Sequence, residues 1–214
     1  MTDGIDARQP LWLFDFVSPF SYLLLEQQDK WPNLPFLPVP VSLFELYGHW
    51  GQRVGYEIPA KRVFTYRHAL FRAEQLGIPF RMPPAHPFNP LKPLLLAVAA
   101  KADLACVREI FRFIWREGRD PSTDEGFALL CERIGVSDGQ ALIERDETKA
   151  QLQHNTASAI SLGVYGVPTF RLNDQLFWGE DALPMVLYCA RTPNWLESKE
   201  VKRISSLPSG LAKT

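Results

Sequence analysis

The chain has 214 residues, of which 46% are hydrophobic and 22% charged, so it can bury the core of one domain or of one domain carrying a large insertion. Its 23 basic and 24 acidic side chains give a formal net charge of −1, which provides no general field for attracting nucleic acid or anionic lipid. Any basic site must therefore be local.

Targeting and metal-binding signals are absent from the sequence pattern. The start, Met1 to Gln9, is short and polar without an apolar run behind it, so we expect a cytoplasmic protein. The longest strongly apolar stretch, Leu94 to Ala100, is far below the roughly 20 residues that span a bilayer, so we expect no membrane helix. The cysteines and histidines lack the spacing of metal ligands, and we expect no metal site and no disulfide framework. These residues are Cys106, Cys131, Cys189, His49, His68, His86 and His154.

The N-terminal part has the order strand, helix, strand. Leu11 to Val17 is β-prone and apolar except for Asp15, which is typical of a strand buried on both faces. Ser18 can serve as the N-cap of a helix whose first turn contains Pro19 and which runs to about Lys30. Phe36 to Val41 predicts a second strand, and its prolines favour the edge of a sheet.

The middle of the chain is predicted to be helical. From Leu43 to about Leu162, apolar residues recur every three or four positions, with breaks near Gly77 and Gly118. Two pairs, Ser122 with Glu125 and Ser137 with Gln140, have the spacing of capping boxes and predict helix starts. The apolar stripes are Val63, Tyr66, Leu70 and Ala73; Leu91, Leu94, Leu95, Val98 and Ala102; and Val107, Ile110, Phe111 and Ile114.

The β pattern returns near the C-terminus. Residues 168–172 and 175–178 flank Asn173-Asp174, which predicts a hairpin. Gly179-Glu180-Asp181 then opens a last helix, and the tail after Trp195 is predicted to be loosely held.

Three motifs carry a resemblance that goes beyond this order of elements. Phe14 to Leu23, with Ser18-Pro19-Phe20-Ser21 in the frame of a Cys-x-x-Cys motif, resembles the opening signature of the 2-hydroxychromene-2-carboxylate isomerases and the related kappa-class glutathione transferases. Gly166 to Phe170 resembles the cis-proline loop of the thioredoxin superfamily, and Trp178 to Asp181 resembles the Trp-Gly-x-Asp before the last helix. The resemblance implies an α/β, thioredoxin-like fold of the DsbA-like branch with a large all-helical insertion.

The domain boundaries follow from that fold. We expect a thioredoxin-like domain at 10–42 plus 163–197, an inserted helical domain at 43–162 and a loosely held tail at 198–214. The family resemblance also implies a possible homodimer.

The resemblance assigns the principal catalytic role to Ser18, whose hydroxyl would contact the sulfur of bound glutathione. A thiol with an ordinary pKa near 8.5 is mostly protonated at neutral pH, so a helix N-terminus and a hydroxyl donor are suited to stabilising its anion. The alternative is that Ser18 only caps its helix. Ser21, one turn further, is expected to be structural.

Two further motif residues are expected to bind glutathione. The Val167-Pro168 peptide is expected to be cis and to present the Val167 backbone to the cofactor; a trans proline starting an edge strand is the alternative. Glu180 and Asp181 are expected at the γ-glutamyl end, where Asp181 can pair with the ammonium, although Asp181 as a simple N-cap is the competing interpretation.

Lys61 resembles a family lysine that reaches the glycyl carboxylate of glutathione. Arg62 is an alternative, as is a solvated charge on a helix. The relatives also have an asparagine slightly upstream, which this chain lacks between Ser42 and Lys61. Gln52 or Trp50 is expected to take its place.

The proline-rich segment from Pro83 to Leu91 is expected to border the second substrate. Asn89 resembles an asparagine of the isomerase-like relatives and would bind substrate or a carboxylate of glutathione, or would simply cap the next helix. His86 is a candidate proton shuttle at the substrate, and Phe20 belongs to a set of aromatic residues suited to a flat aromatic ligand.

The resemblance therefore implies glutathione-dependent isomerisation of 2-hydroxychromene-2-carboxylate to trans-o-hydroxybenzylidenepyruvate, or of a related small aromatic substrate, by transient thiolate addition. A kappa-like glutathione transferase and a non-catalytic thioredoxin-like binding module are the alternatives. A thiol-disulfide oxidoreductase is disfavoured because the chain has no Cys-x-x-Cys motif.

Overall fold

A four-stranded mixed sheet forms the centre of the computed structural model, which describes residues 9–31, 36–53 and 57–210. The strands are β1 (Leu11–Phe14), β2 (Leu37–Pro40), β3 (Thr169–Leu172) and β4 (Gln175–Trp178), in the order β2-β1-β3-β4. β1 runs parallel to β2 and antiparallel to β3, and β3 and β4 form the predicted hairpin. β2 lies at an edge, as its prolines predicted.

The helices of the thioredoxin-like part are α1 (Pro19–Leu25) after β1 and, near the C-terminus, α9 (Leu183–Arg191). The elements that connect β2 to β3 are α2 (Leu43–Trp50), α3 (Pro59–Leu76), α4 (Leu91–Ala99), α5 (Leu104–Phe111), α6 (Asp124–Arg133), α7 (Gly139–Glu144) and α8 (Asp146–Ser161), with a π-helical turn at Arg112–Arg116. The thioredoxin-like fold with a helical insertion is thereby confirmed. The division into two domains stays a prediction.

Several predicted boundaries are corrected by the structure. α1 ends at Leu25, and a short 3-10 turn at Gln28–Lys30 follows it. α6 is capped by Thr123 instead of Ser122, because Asp120 accepts both the amide and the hydroxyl of Ser122. α7 begins after Asp138 without a side-chain cap, so the second predicted capping box is not formed.

The tail contains one more helix than the sequence predicted. α10 (Lys199–Ser205) follows a 3-10 turn at Pro193–Trp195, and Ser198 precedes it with an extended backbone. None of the residues of α10 is buried. The segment is therefore helical while lying on the surface of the molecule.

An aromatic cluster forms the core between the sheet and the helices. Trp12 stacks on Phe14 with ring centroids 4.5 Å apart, and Phe111 of α5 lies 4.6 Å from Phe16. These side chains are fully buried, so the helical insertion contributes directly to the core behind β1 and α1. No helix within the described parts of the chain is long and apolar enough to cross a membrane.

Candidate functional site

The hydroxyl of Ser18 lies where the segment after β1 enters α1. Ser18 is the N-cap of α1 with an extended backbone (φ −92°, ψ 113°), and its Oγ accepts the Ser21 N–H at 3.3 Å. The same hydroxyl donates to the Val167 carbonyl at 3.5 Å, which is long for a bond between two oxygens. The predicted capping is thus confirmed, and the hydroxyl proton is weakly held.

The Val167-Pro168 peptide is cis, as predicted from the resemblance. It directly precedes β3, which pairs with β1, and this pairing brings Val167 next to Ser18 across 149 positions of sequence. Gly166 lies under the indole of Trp178: a Cβ added at this glycine would stand 2.6 Å from the indole Nε1. The absence of a side chain at position 166 therefore lets Trp178 cover the loop.

A cleft runs past Ser18 and has two lobes, which share the side chains of Phe20, Val167 and Trp178. The first, the Lys61 lobe, has a volume of about 320 Å³ and includes Ser18 in its lining. The second, the Asp181 lobe, has a volume of about 520 Å³. Phe20 thus lines both lobes, and its contact with a substrate stays a prediction.

The Lys61 lobe is basic. Its lining includes Arg53, Lys61 and Arg62, and no aspartate or glutamate is among the lining residues within the described ranges. Lys61 and Arg62 begin α3, while Arg53 follows α2. Three cations converge on one side of Ser18, which makes this lobe complementary to carboxylate groups.

The segment before Val167 is held by the two residues considered as replacements for the missing asparagine. Trp50 Nε1 donates to the Val164 carbonyl at 2.8 Å, and Gln52 Nε2 donates to the Tyr165 carbonyl at 3.2 Å. Gln52 also lines the Lys61 lobe. Gln52 is thus the one of the two whose side chain borders the cleft.

Glu180 is only 4% exposed and its carboxylate is already paired within the protein. It accepts two hydrogen bonds from the Arg72 guanidinium, at 2.9 and 3.1 Å, and one from Gln27 Nε2 at 2.7 Å. Hydrogen bonding to Glu180 raises the pKa of Arg72. This arrangement joins the turn after α1, helix α3 and the segment after β4, which is a structural role; cofactor binding by Glu180 stays a prediction.

Asp181 is exposed and lines the Asp181 lobe. Asp181 does not cap α9, so the alternative interpretation of Asp181 as a simple N-cap is wrong. Glu180–Ala182 forms a 3-10 turn, and α9 follows with Ala182 as an N-cap that makes no side-chain hydrogen bond. Pro184 in the first turn of α9 has no N–H for a capping group to bind. The Asp181 carboxylate is therefore directed to the cleft side of the molecule.

His86 lines the Lys61 lobe, and both of its ring nitrogens contact protein groups. Nε2 lies 2.9 Å from the Val17 carbonyl, and Nδ1 lies 3.1 Å from the Tyr66 hydroxyl. Burial lowers the pKa of His86. Its predicted role as a proton shuttle at the substrate stays a prediction, and the observed contacts of the ring are with Tyr66 and with the backbone beside Ser18.

Asn89 binds the first backbone N–H of α4 from one position before the N-cap residue, which is Pro90. Its Oδ1 accepts the Leu91 N–H at 3.0 Å, and the residue is exposed. It lines neither lobe of the cleft. The structure therefore supports the capping alternative, and the substrate-binding role stays a prediction.

Asp15 is the residue near the site whose function the sequence pattern did not reveal. Its side chain is fully buried and accepts the N–H groups of Val17 at 3.0 Å and Leu43 at 2.9 Å. Burial raises the pKa of Asp15 from 3.8 to about 7, and these hydrogen bonds oppose that shift. The interruption of an apolar strand by one acid was the signal that could have identified it.

The cysteines lie away from the cleft. Cys131 and Cys189 are buried and Cys106 is partly buried, and none of the three is in a disulfide. Burial raises the pKa of each thiol, that of Cys106 to about 11, which disfavours the reactive thiolate. Within the described residues, no group of histidine, cysteine, aspartate and glutamate side chains is arranged to hold a metal ion.

Comparisons with known proteins support the DsbA-like thioredoxin fold. The family model of the DSBA-like thioredoxin domain matches residues 12–189. A 2-hydroxychromene-2-carboxylate isomerase of Pseudomonas putida is 27% identical over 182 residues, covering 81% of this chain and 89% of the relative. Glutathione S-transferase kappa 2 of Caenorhabditis elegans is 26% identical over 198 residues, covering 82% and 88%. A solved 2-hydroxychromene-2-carboxylate isomerase structure matches with a TM-score of 0.75 at 25% identity, covering 90% of this chain and 98% of that one.

Proposed function

Since the chain belongs to the DsbA-like thioredoxin family, we propose that it is a glutathione-dependent isomerase of 2-hydroxychromene-2-carboxylate or of a related small aromatic substrate. The observation that carries the proposal is the Ser18 hydroxyl at the start of α1, opposite Val167 of the cis-proline loop. The positions of a Cys-x-x-Cys pair are occupied by Ser18 and Ser21. A reactive sulfur at this site must therefore come from a bound thiol.

The residues around Ser18 fit glutathione at three points. The long contact between Ser18 Oγ and the Val167 carbonyl leaves the hydroxyl able to donate to a sulfur anion while it still accepts the Ser21 N–H. The Asp181 carboxylate suits the ammonium of the γ-glutamyl group, and Lys61 suits the glycyl carboxylate. These two charges lie in different lobes of the cleft, and the lobes meet at Phe20, Val167 and Trp178. Such a separation suits an extended peptide whose two ends have opposite requirements.

The Lys61 lobe also suits an aromatic substrate that carries a carboxylate. After one cation is assigned to glutathione, Arg53 and Arg62 are available for a second anion, and Phe20, Phe44 and Tyr47 provide apolar wall. Bound glutathione would supply a thiolate for reversible addition across the substrate double bond, which would open the π bond, permit rotation and leave glutathione unconsumed when the double bond re-forms. Ser18 stabilises the sulfur anion, and the cations orient the substrate carboxylate.

A kappa-like glutathione transferase is the second candidate, favoured by the similarity to the kappa 2 transferase. In a transferase the sulfur stays on the product, so glutathione is consumed in proportion to turnover. In an isomerase the total glutathione is constant. Measuring free thiol during turnover of trans-o-hydroxybenzylidenepyruvate distinguishes the two: stoichiometric loss would reject the isomerase.

The role of Ser18 is tested by Ser18→Ala with Ser21→Ala as the matched control. Removing one hydrogen-bond donor to a catalytic anion lowers kcat by about a hundredfold to a thousandfold, so we expect a loss of this size for Ser18→Ala and near-normal activity for Ser21→Ala. Calorimetry with glutathione should give a weaker affinity for Asp181→Asn and for Lys61→Met. No heat of binding to the unaltered protein would instead favour a non-catalytic binding module.

A further inference from the structure

The two residues before Ser18 are held by side chains from three parts of the chain. Trp115 Nε1 donates to the Phe16 carbonyl at 2.9 Å, and Asp15 accepts the Val17 N–H at 3.0 Å. His86 Nε2 contacts the Val17 carbonyl at 2.9 Å. This segment belongs to neither β1 nor α1, so its buried peptide groups need partners outside regular secondary structure. Three side chains supply them.

The contact from His86 acts on the peptide group that Val17 shares with Ser18. Rotation of this peptide would change the backbone angle φ of Ser18 and move its Oγ away from the Ser21 N–H that it now accepts. Val17 is 3% exposed and Ser18 5% exposed, so water has little access to replace the imidazole. The position of the Ser18 hydroxyl thus depends on a side chain 69 positions away from Val17.

The Val17 carbonyl fixes the protonation pattern of the His86 ring, and Tyr66 holds the backbone of His86. A carbonyl oxygen only accepts hydrogen bonds, so the neutral imidazole must carry its proton on Nε2 and leave Nδ1 as an acceptor. The Tyr66 hydroxyl donates its single proton to the carbonyl oxygen of His86 at 2.6 Å, and the same hydroxyl oxygen lies 3.1 Å from Nδ1. Tyr66 therefore holds the backbone of His86 and lies beside its ring, while the Val17 carbonyl selects the tautomer with the proton on Nε2.

We propose that His86 is a positioning residue of the Ser18 site: its Nε2–H holds the Val17 carbonyl and thereby keeps the Ser18 hydroxyl at the N-cap of α1, facing the cleft. Tyr66 supports His86 by binding its backbone carbonyl. The inference rests on the proposed function in taking position 18 as the one that faces the reacting sulfur.

A thiol introduced by Ser18→Cys reports on this position without any ligand. A thiol that accepts an N–H at a helix start has a lowered pKa, and alkylation by iodoacetamide across a range of pH measures that pKa. In the Ser18→Cys background, we expect His86→Phe to raise the pKa of the introduced thiol and slow its alkylation at neutral pH about tenfold. The native thiols contribute little because burial raises the pKa of all three.

Rescue and control variants separate positioning from general stability. His86→Gln keeps an amide N–H near the place of Nε2, so it should restore most of the reactivity that His86→Phe removes. His154→Phe makes the same replacement on an exposed site of α8 and should leave the thiol pKa unchanged. An unchanged thiol pKa in a folded His86→Phe variant would overturn the proposal.

Tyr66→Phe provides an independent test if His86→Phe does not fold. Without the hydroxyl, the His86 backbone loses its hydrogen bond to Tyr66 and the ring is held less firmly against Val17, so alkylation should slow about threefold at neutral pH. Unaltered alkylation in a folded Tyr66→Phe variant would reject the proposed role. Because the reporter thiol belongs to the chain, a failure of glutathione to bind would contradict the proposed function and leave this result standing.

Discussion

Replacing Asp15 by asparagine tests how the protein holds a buried acid beside its candidate site. The Asp15 carboxyl group is inaccessible to solvent and accepts the amides of Val17 and Leu43, so it joins the segment before Ser18 to the start of α2. Burial raises its pKa from 3.8 to about 7. An asparagine side chain has nearly the same shape as that of aspartate and carries no charge at any pH.

The raised pKa means that the folded protein binds the Asp15 proton more tightly than the unfolded chain does. The stability contributed by Asp15 is therefore fully present below about pH 4 and is lost as the pH rises through about 7. A shift of roughly three pKa units, at about 1.4 kcal/mol per unit, corresponds to about 4 kcal/mol in the free energy of unfolding. Asp15→Asn removes this pH dependence.

Asp15→Asn also has a cost that does not vary with pH. The side-chain amide presents one NH₂ group to a backbone N–H, which leaves that donor unpaired and costs about 1–3 kcal/mol. We thus expect the variant to be less stable than the unaltered protein near pH 4 and to approach or exceed it near pH 8.

Urea unfolding followed by tryptophan fluorescence, at several values between about pH 4 and pH 8, measures the difference. Other titrating groups are common to both proteins and cancel when the two curves are subtracted. Glu132→Gln, at an exposed carboxylate of α6, should change stability by less than about 0.5 kcal/mol throughout. A difference between Asp15→Asn and the unaltered protein that is constant with pH would refute the reasoning.

The effects of two other substitutions on stability can be predicted from the hydrogen bonds of the replaced side chains. The Ser21 hydroxyl is buried and has no hydrogen-bond partner among the residues described, so Ser21→Ala should leave stability unchanged or raise it by about 1 kcal/mol, measured by urea unfolding. An appreciable loss of stability would indicate a bound water at this hydroxyl. Arg72→Met removes both hydrogen bonds from Arg72 to Glu180 and should lower the free energy of unfolding by about 2 kcal/mol. This value is smaller than that for a fully buried ion pair because the Arg72 side chain is 30% exposed and solvent screens the interaction. Adding Glu180→Gln should recover part of the loss, and the absence of any recovery in thermal melts would show that the pair is not coupled.

Features governed by neighbouring residues could be predicted from the sequence. The Ser18 cap depends on residues three positions apart, and the Asn173-Asp174 turn depends on two residues that adopt positive φ angles of 49° and 64°. The α6 cap was misplaced by one position because Ser122 and Thr123 are both good capping residues. Only the fold shows that Asp120 binds Ser122.

Features governed by distant residues could not be predicted in the same way. Glu180 was identified as a site residue by its motif, but its partners Arg72 and Gln27 are 108 and 153 positions away. The contact between His86 and Val17 likewise joins the proline-rich segment to the start of α1. A sequence pattern indicates which residues carry chemistry, while the packing of the elements decides which of them are already bound to each other.

The position of Trp178 also makes the cleft observable by spectroscopy. Its indole is 52% exposed and lines both the Lys61 lobe and the Asp181 lobe, whereas Trp12 and Trp115 are fully buried in the core. A ligand that enters either lobe should change the solvation of this indole more than that of the core tryptophans. The chain thus carries an intrinsic fluorophore at the boundary between its two lobes, and occupancy can be followed without a chemical label.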